Sequence, residues 1–414
     1  MPDFSLTPIS DDPENEAKLF GFDELSDKLT EFTTSDRTIT PFVIAINGEW
    51  GSGKSSLLLT TKKKLEEKIS SLAKQMKVIY FDAWEYENSN PAAALVYRMM
   101  KPIQSKNAAT AMNIGKLVVD LAARNILNMS VADMKSHFEE SVHAVDTLGT
   151  HIQKTLNDSL SDGRLIVLID DLDRCTIENT LSILNSLKLF LSLKQCLFVV
   201  AVDMKKLELA WKTRYGMDND IRTEGTSYLD KIFQMKIGLP PKPKDELKKY
   251  ILSLIPTIPD NLAELMAVVG PKNLRRIKRL INIASFHAFG GSDLRKFELS
   301  LIWMLFEHQL STKAMAIDIH NNIEGEAGYD LLTLLKEKIP LDEDGFNDYL
   351  QRGPLFSRYG GGGSILGRFR TFCTMIRPIL ESFSESHSEL KKSLGEIVIS
   401  AEESQEENDR FDSL

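Results

Sequence analysis

The chain is poor in cysteine. Three occur in 414 residues, Cys175, Cys196 and Cys373, far apart and odd in number. That excludes a disulfide framework, offers no metal-ligand spacing and suits a reducing cytoplasm. The seven histidines are scattered, so no zinc site is expected. Long apolar runs are missing as well. No stretch offers ~18 apolar residues in a row, which excludes an evident transmembrane helix. The nearest approach, Ile114–Ala132, carries Lys116, Asp120 and Arg124. Each would cost roughly 2.5–3.5 kcal/mol at a helix centre in a bilayer, so an amphipathic soluble helix is expected there. The acidic, polar N-terminus lacks the basic start and apolar core of a signal peptide. Excess positive charge is also absent. The net charge of −9 puts nucleic acid last among candidate partners. What remains, 43% hydrophobic and 26% charged residues, is the composition of a soluble globular protein with room for two or three domains.

Against these absences stands one concentrated feature, NGEWGSGKSS at positions 47–56. It follows the apolar run Val43-Ile44-Ala45-Ile46 and precedes Leu57-Leu58-Leu59. Gly48-x-x-x-x-Gly53-Lys54-Ser55 fits the strand, loop and helix of a phosphate-binding loop. Glycines let backbone N–H groups turn inward around an anion, and the next helix aims its positive end at the same spot. The expected cradle is Gly48, Glu49, Trp50, Gly51, Ser52, Gly53, Lys54, Ser55 and Ser56. Lys54 would reach the β- and γ-phosphates, and the Ser55 hydroxyl would ligate Mg²⁺. A plain Gly/Ser turn between core elements is the bland alternative.

A phosphate loop needs a metal-binding acid on a nearby strand. LIVLIDD, 165–171, supplies two. Asp170 is expected in the Mg²⁺ shell beside Ser55, and Asp171 is expected to polarise the attacking water. A further strand, Lys77–Asp82, and a long helical segment lie between loop and acids, unlike the order of small GTPases. With no Asn-Lys-x-Asp motif, ATP is favoured over GTP. Asp203 ends the next apolar run and reads either as a γ-phosphate sensor or as a helix cap. Asp82 ends a strand on the same sheet edge, and Trp84 reads as a packing residue. Arg174 leaves the acid turn. It either reaches a neighbouring protomer's nucleotide or forms a salt bridge to Asp173 or Glu178. The basic helix Lys272–Arg279 offers Arg275 as an arginine folding back on the γ-phosphate, with a solvated helix or a nucleic-acid patch as alternatives.

Along the chain, residues 1–18 read as a loose leader, and 19–240 as an α/β core with a parallel sheet covered by helices on both faces. Residues 92–160 read as a soluble helical insertion. After Pro240-Pro241-Lys242-Pro243 no further strand is expected. Residues 241–290 form a helical subdomain and 291–400 a mostly helical C-terminal region, interrupted by a flexible Gly360–Gly363 loop. An acidic disordered tail, 401–414, closes the chain.

These residues resemble the KAP family of P-loop ATPases, a branch near the STAND and AAA-like ATPases. The resemblance rests on Gly48–Ser55, on Phe81-Asp82-Ala83-Trp84-Glu85-Tyr86, and on Ile169-Asp170-Asp171-Leu172-Asp173-Arg174-Cys175. It continues through Val200-Ala201-Val202-Asp203, Tyr228–Gln234 and Asn273–Asn282. It implies an ATPase core followed by a helical region, and its members include animal neuronal membrane scaffolds and bacterial proteins linked to phage exclusion. Many members carry transmembrane helices between the two nucleotide motifs, where this chain has soluble-looking sequence. Asn273-Leu274-Arg275 stands where the family usually has Asn-Pro-Arg. The expected function is a cytoplasmic, Mg²⁺-dependent ATP-hydrolysing switch that self-associates or works with a separate effector, with bacterial anti-phage defence as the family's suggestion. A nucleotide-gated scaffold and a small-molecule kinase are the alternatives.

Overall fold

The computed structural model describes residues 8–14, 17–103, 138–190, 193–215, 229–288, 294–309, 363–383, 385–386, 388–394 and 396–397. They fall into two compact units, Asp12–Pro241 and Met1–Asp11 with Lys242–Leu414. The Ile114–Ala132 helix, the glycines at 360–362 and the acidic tail lie outside the described residues.

The first unit runs α1 (Phe22–Thr34), β1 (Phe42–Asn47), α2 (Lys54–Ser70), β2 (Lys77–Asp82), α3 (Pro91–Met100), α4 (Phe138–Leu160), β3 (Leu165–Asp170), α5 (Ile177–Phe190), β4 (Cys196–Val202), α6 (Met204–Tyr215) and β5 (Met235–Gly238). Its strands form one parallel sheet in the order β2-β3-β4-β1-β5. Every residue of β3 and β4 is buried, as continuous Val, Ile and Leu runs dictate for strands covered on both faces. Side chains alternate between the faces. Val167, Ile169, Phe198 and Val200 share a core with Leu95 and Val96 of α3 and Leu184 of α5. The other face receives α2, which lies against β2, β3 and β4 and carries α1 on its back. Truncating Phe198 to alanine would remove about 3–5 kcal/mol from this core.

Three features depart from the sequence reading. β5 is a strand that the apolar pattern does not reveal. It is four residues long, with alternating exposure, and it pairs with β1 through Ile44–Asn47. The leader is tied down in places: Ala17 is buried and its N–H donates to Thr60 Oγ1 at 3.0 Å. In the second unit, Ile9 exchanges two 2.8 Å hydrogen bonds with the Asn282 side chain. Leu19–Phe32 reads from the sequence as a short helix, yet the first helix begins at Phe22, because Phe20 and Gly21 take left-handed backbone (φ 61° and 65°) just before it.

The second unit is helical: α7 (Lys244–Leu254), α8 (Asp260–Val269), α9 (Leu274–His287), α10 (Leu294–Gln309) and α11 (Gly363–Glu381). Gly363, expected in a loop, opens α11. Trp303, Phe306, Phe369 and Phe372 form its aromatic centre, with ring centroids 5.5–6.3 Å apart. Among the described residues, no helix is long and apolar enough to cross a membrane.

Candidate functional site

β1 enters the sheet between β4 and β5, so the loop leaving it opens at the carboxyl edge, where α/β sheets bind ligands. Gly48 N–H donates to Val202 O at 3.1 Å and anchors the loop to β4. A Cβ on Gly48 would lie 2.6 Å from Ser52 Oγ and 2.9 Å from Leu239 Cδ1, so any side chain there would force those neighbours to shift. Gly53 has φ 107°, which L-residues avoid, and it starts α2 with no side-chain cap and no acid in the first turn. The amides of that turn keep their positive field, the arrangement that suits an anion.

Lys54 is buried and held by three acceptors. Its Nζ donates to Gly48 O at 2.8 Å, to Glu49 O at 3.2 Å and to Asp173 Oδ2 at 3.1 Å. Both side chains of the Lys54–Asp173 pair are almost fully enclosed, at 6% and 4% exposure. The sequence suggests Asp173 only as a partner for Arg174, not for Lys54. Asp173 comes back to the loop because Asp171 adopts left-handed backbone (φ 51°) and turns the chain into a 3-10 turn at Leu172–Arg174. Of the other loop residues, Ser52 donates to Glu49 O at 2.5 Å and Trp50 and Gly51 lie on the outer turn, Trp50 partly exposed. Ser56 points elsewhere and accepts from Glu14 N–H at 3.1 Å.

The expected meeting of Ser55 and Asp170 occurs. β4 lies between β1, which leads into the loop, and β3, which carries Asp170, yet the Ser55 hydroxyl approaches the Asp170 carboxylate closely enough to favour its charged form. Asp170 is 1% exposed. Burial raises its pKa, opposed chiefly by hydrogen bonds from the Tyr80 hydroxyl, at 2.7 Å, and from Asp171 N–H, at 2.8 Å. Tyr80 is a residue missed from the sequence. On β2 it lies on the face that Asp170 shares, and burial and the Asp170 charge push its phenol far above the usual value.

Asp171 is pushed up to about 7, first by burial and then by the Asp170 charge, with Arg174 pulling the other way. Arg174 Nε lies 2.9 Å from Asp171 Oδ1, an ion pair whose N–H is not aligned for a hydrogen bond. A salt bridge for Arg174 therefore exists, with Asp171 in place of Asp173 or Glu178. The guanidinium also sits 5.1 Å from the Trp84 ring centroid. Trp84 is accordingly no interior packing residue: it is 52% exposed and faces Arg174. Asp82 caps the turn beneath it, accepting from Trp84 N–H at 2.9 Å.

Asp203 takes the helix-cap geometry. Its Oδ1 accepts from Lys205 N–H at 3.1 Å and Lys206 N–H at 3.4 Å, while Asn47 Oδ1 accepts from Met204 N–H at 3.1 Å. Arg275 belongs to the helical unit, where its Nε lies 3.6 Å from Asp11 Oδ2. Among the described residues, no cluster of three or more His, Cys, Asp and Glu side chains could hold a metal by itself.

Three comparisons bear on this arrangement. No curated protein matches the chain in sequence. Among solved structures it is similar to the Aeropyrum pernix ORC1 protein in complex with DNA, at 13% identity over 92% of this chain and 93% of that one, TM-score 0.41. It is also similar to a Walker-type ATPase of Pyrococcus abyssi (13% identity, 90% and 92% covered, TM-score 0.38) and to AMPPCP-bound DnaA from Aquifex aeolicus (14%, 92% and 92%, TM-score 0.33). The KAP family P-loop domain matches residues 22–288, which take in the whole sheet, the phosphate loop and the acid turn. The chain belongs to the KAP family of P-loop domains.

Proposed function

We propose that the chain is a Mg²⁺-dependent ATP-hydrolysing switch. The observation that carries this reading is the contact of Ser55 with Asp170, formed across an intervening strand beside the buried Lys54 and the uncapped start of α2. A hydroxyl and an enclosed carboxylate in contact are the donor set for an ion that keeps several waters and takes its other ligands from phosphate. That accounts for a site without three protein carboxylates. Ser55 and Asp170 would hold Mg²⁺ there, and the ion would supply positive charge against that of the phosphates.

The chain's own groups then divide the work. Lys54 and the amides of Gly51–Ser55 bind and orient the phosphates. Asp171, with its proton affinity near neutrality, holds and accepts a proton from the attacking water. Asp203, at the end of β4, senses the γ-phosphate. Arg174, a quarter exposed, serves a neighbouring protomer once ATP recruits one. Work with a separate effector, and a defence role, rest on the family alone.

A phosphate-release assay tests this reading. Wild type should hydrolyse ATP only with Mg²⁺. Asp171→Asn should still bind ATP and lose turnover, while Lys54→Ala should lose binding by about 100-fold, the scale of several charge-assisted hydrogen bonds. Turnover by Asp171→Asn at the wild-type rate would show the acid to be wrongly assigned. Intact ATP binding with no turnover in wild type would leave a nucleotide-gated scaffold.

A further inference from the structure

Tyr80 faces two ways. Its hydroxyl donates to Asp170, and its side chain lines a cavity of about 560 Å³ at the β2 edge of the sheet. Leu59 and Lys62 of α2, Val78 of β2, and Arg98 and Lys101 at the end of α3 line the same space. The volume lies in the range of small-molecule sites. Its chemistry is mixed in a particular way. Most of the wall is apolar, yet three cationic side chains border it. Lys62 is paired with Glu66 at 3.2 Å on the surface. Among the described residues, Arg98 and Lys101 have no such partner. The Arg98 Nε is buried and without a hydrogen bond, an arrangement that costs free energy unless an acceptor arrives.

We propose that this cavity binds a small organic anion, a carboxylate, sulfonate or phosphate carried on an apolar body. Its charged group pairs with Arg98 and Lys101, and its body lies against Leu59, Val78 and the Tyr80 ring. Arg98 offers a planar fork of donors suited to such oxyanions. Occupancy is coupled to the nucleotide site, because a ligand that shifts Tyr80 alters a hydrogen bond to the carboxylate that Ser55 also contacts. The coupling clause rests on the nucleotide reading above; the cavity itself does not. Coupling of this kind is reciprocal: the anion changes ATP affinity by the factor by which ATP changes the anion's.

8-Anilinonaphthalene-1-sulfonate is a suitable probe, being an apolar body with one sulfonate. Its fluorescence is titrated against the full chain. Saturable binding is expected, weakened roughly tenfold by Arg98→Gln, one charged hydrogen bond's worth, and restored in part by Arg98→Lys. Lys101→Gln should weaken it too, which keeps the test open should Arg98→Gln fail to fold. Lys54→Ala should bind the probe as wild type does, so loss of the nucleotide site leaves this arm readable. Mg-ATP should shift the probe's affinity by about fivefold in wild type, and the shift should vanish in Tyr80→Phe while the probe still binds. Probe binding indifferent to both Arg98→Gln and Lys101→Gln would overturn the site. A full ATP-dependent shift in Tyr80→Phe would overturn the coupling.

Discussion

The starts of α9 and α2 are built in opposite ways. At α9, Asn273 has extended backbone (φ −86°, ψ 118°) and its side chain accepts from Arg276 N–H. α3 repeats the device, with Asn90 accepting from Ala93 N–H and Pro91 in the first turn. α1, α7 and α8 lack a side-chain cap but set acids in their first turns. α2 has neither a cap nor an acid; Gly53 at φ 107° precedes it. A cap contributes about 1 kcal/mol to a helix. The chain invests in caps where a helix has only to be stable, and leaves out both cap and acid where the amides face the phosphate loop. The Lys54–Asp173 pair completes the contrast. At α2 an acid does approach the helix start, but it arrives from β3's turn, bonded to a lysine that a phosphate would claim.

The largest expected effect comes from erasing the difference. Gly53→Asn gives α2 the residue that opens α3 and α9. The transplant should fail as a cap, because the backbone there is left-handed while Asn90 and Asn273 are extended. Forcing a side chain into that conformation costs on the order of 1–3 kcal/mol, and the amide oxygen would compete for the N–H groups that face the ligand. ATP affinity by calorimetry should fall more than about tenfold, with no gain in unfolding midpoint. A stabilised variant with unchanged ATP affinity would mean that the bare helix start is incidental.

A smaller and opposite effect should come from Asp173→Asn. The enclosed carboxylate holds Lys54, so on the proposed reading a phosphate would have to displace it. The amide keeps the shape and removes the charge. The variant should be less stable, since Lys54 stays buried with only neutral acceptors, the Gly48 and Glu49 carbonyls and the new amide oxygen. ATP affinity should rise by about fivefold, as one competitor for the lysine is gone. Weaker ATP binding in this variant would place Asp173 among the groups that support bound nucleotide instead.

How much of this was legible follows from what each feature depends on. The phosphate loop depends on local residue types: glycines where side chains collide or φ is positive, and a lysine one position later. β1, β3 and β4 are legible because a strand buried on both faces is apolar at every position. β5 is not: Met235-Lys236-Ile237-Gly238 is a short edge strand with a lysine in the middle, and only pairing with β1 makes it a strand. The Ser55–Asp170 contact follows from motif order. Tyr80–Asp170 does not, because it requires the β2–β3 register. Lys54–Asp173 spans 119 positions and depends on a left-handed Asp171, a conformation a non-glycine residue seldom takes and composition does not announce.

The smallest effect is a control in the other direction, Asn273→Ala. This substitution removes the side-chain oxygen that accepts from Arg276 N–H at 3.2 Å. The helix keeps its buried stripe of Ile277, Ile281 and Ala284, so it should still form and pack. The loss of the cap costs about 1 kcal/mol, visible as a lower denaturation midpoint for the helical unit. ATP affinity should not change, because the cap lies in the unit formed by Lys242–Leu414 and not in the one that holds the phosphate loop. The paired measurement separates two kinds of helix start within one chain. If Asn273→Ala weakened ATP binding as Gly53→Asn does, α9 would have to be counted with the nucleotide site, and the family's arginine at this helix, Arg275, would be the first residue to test there.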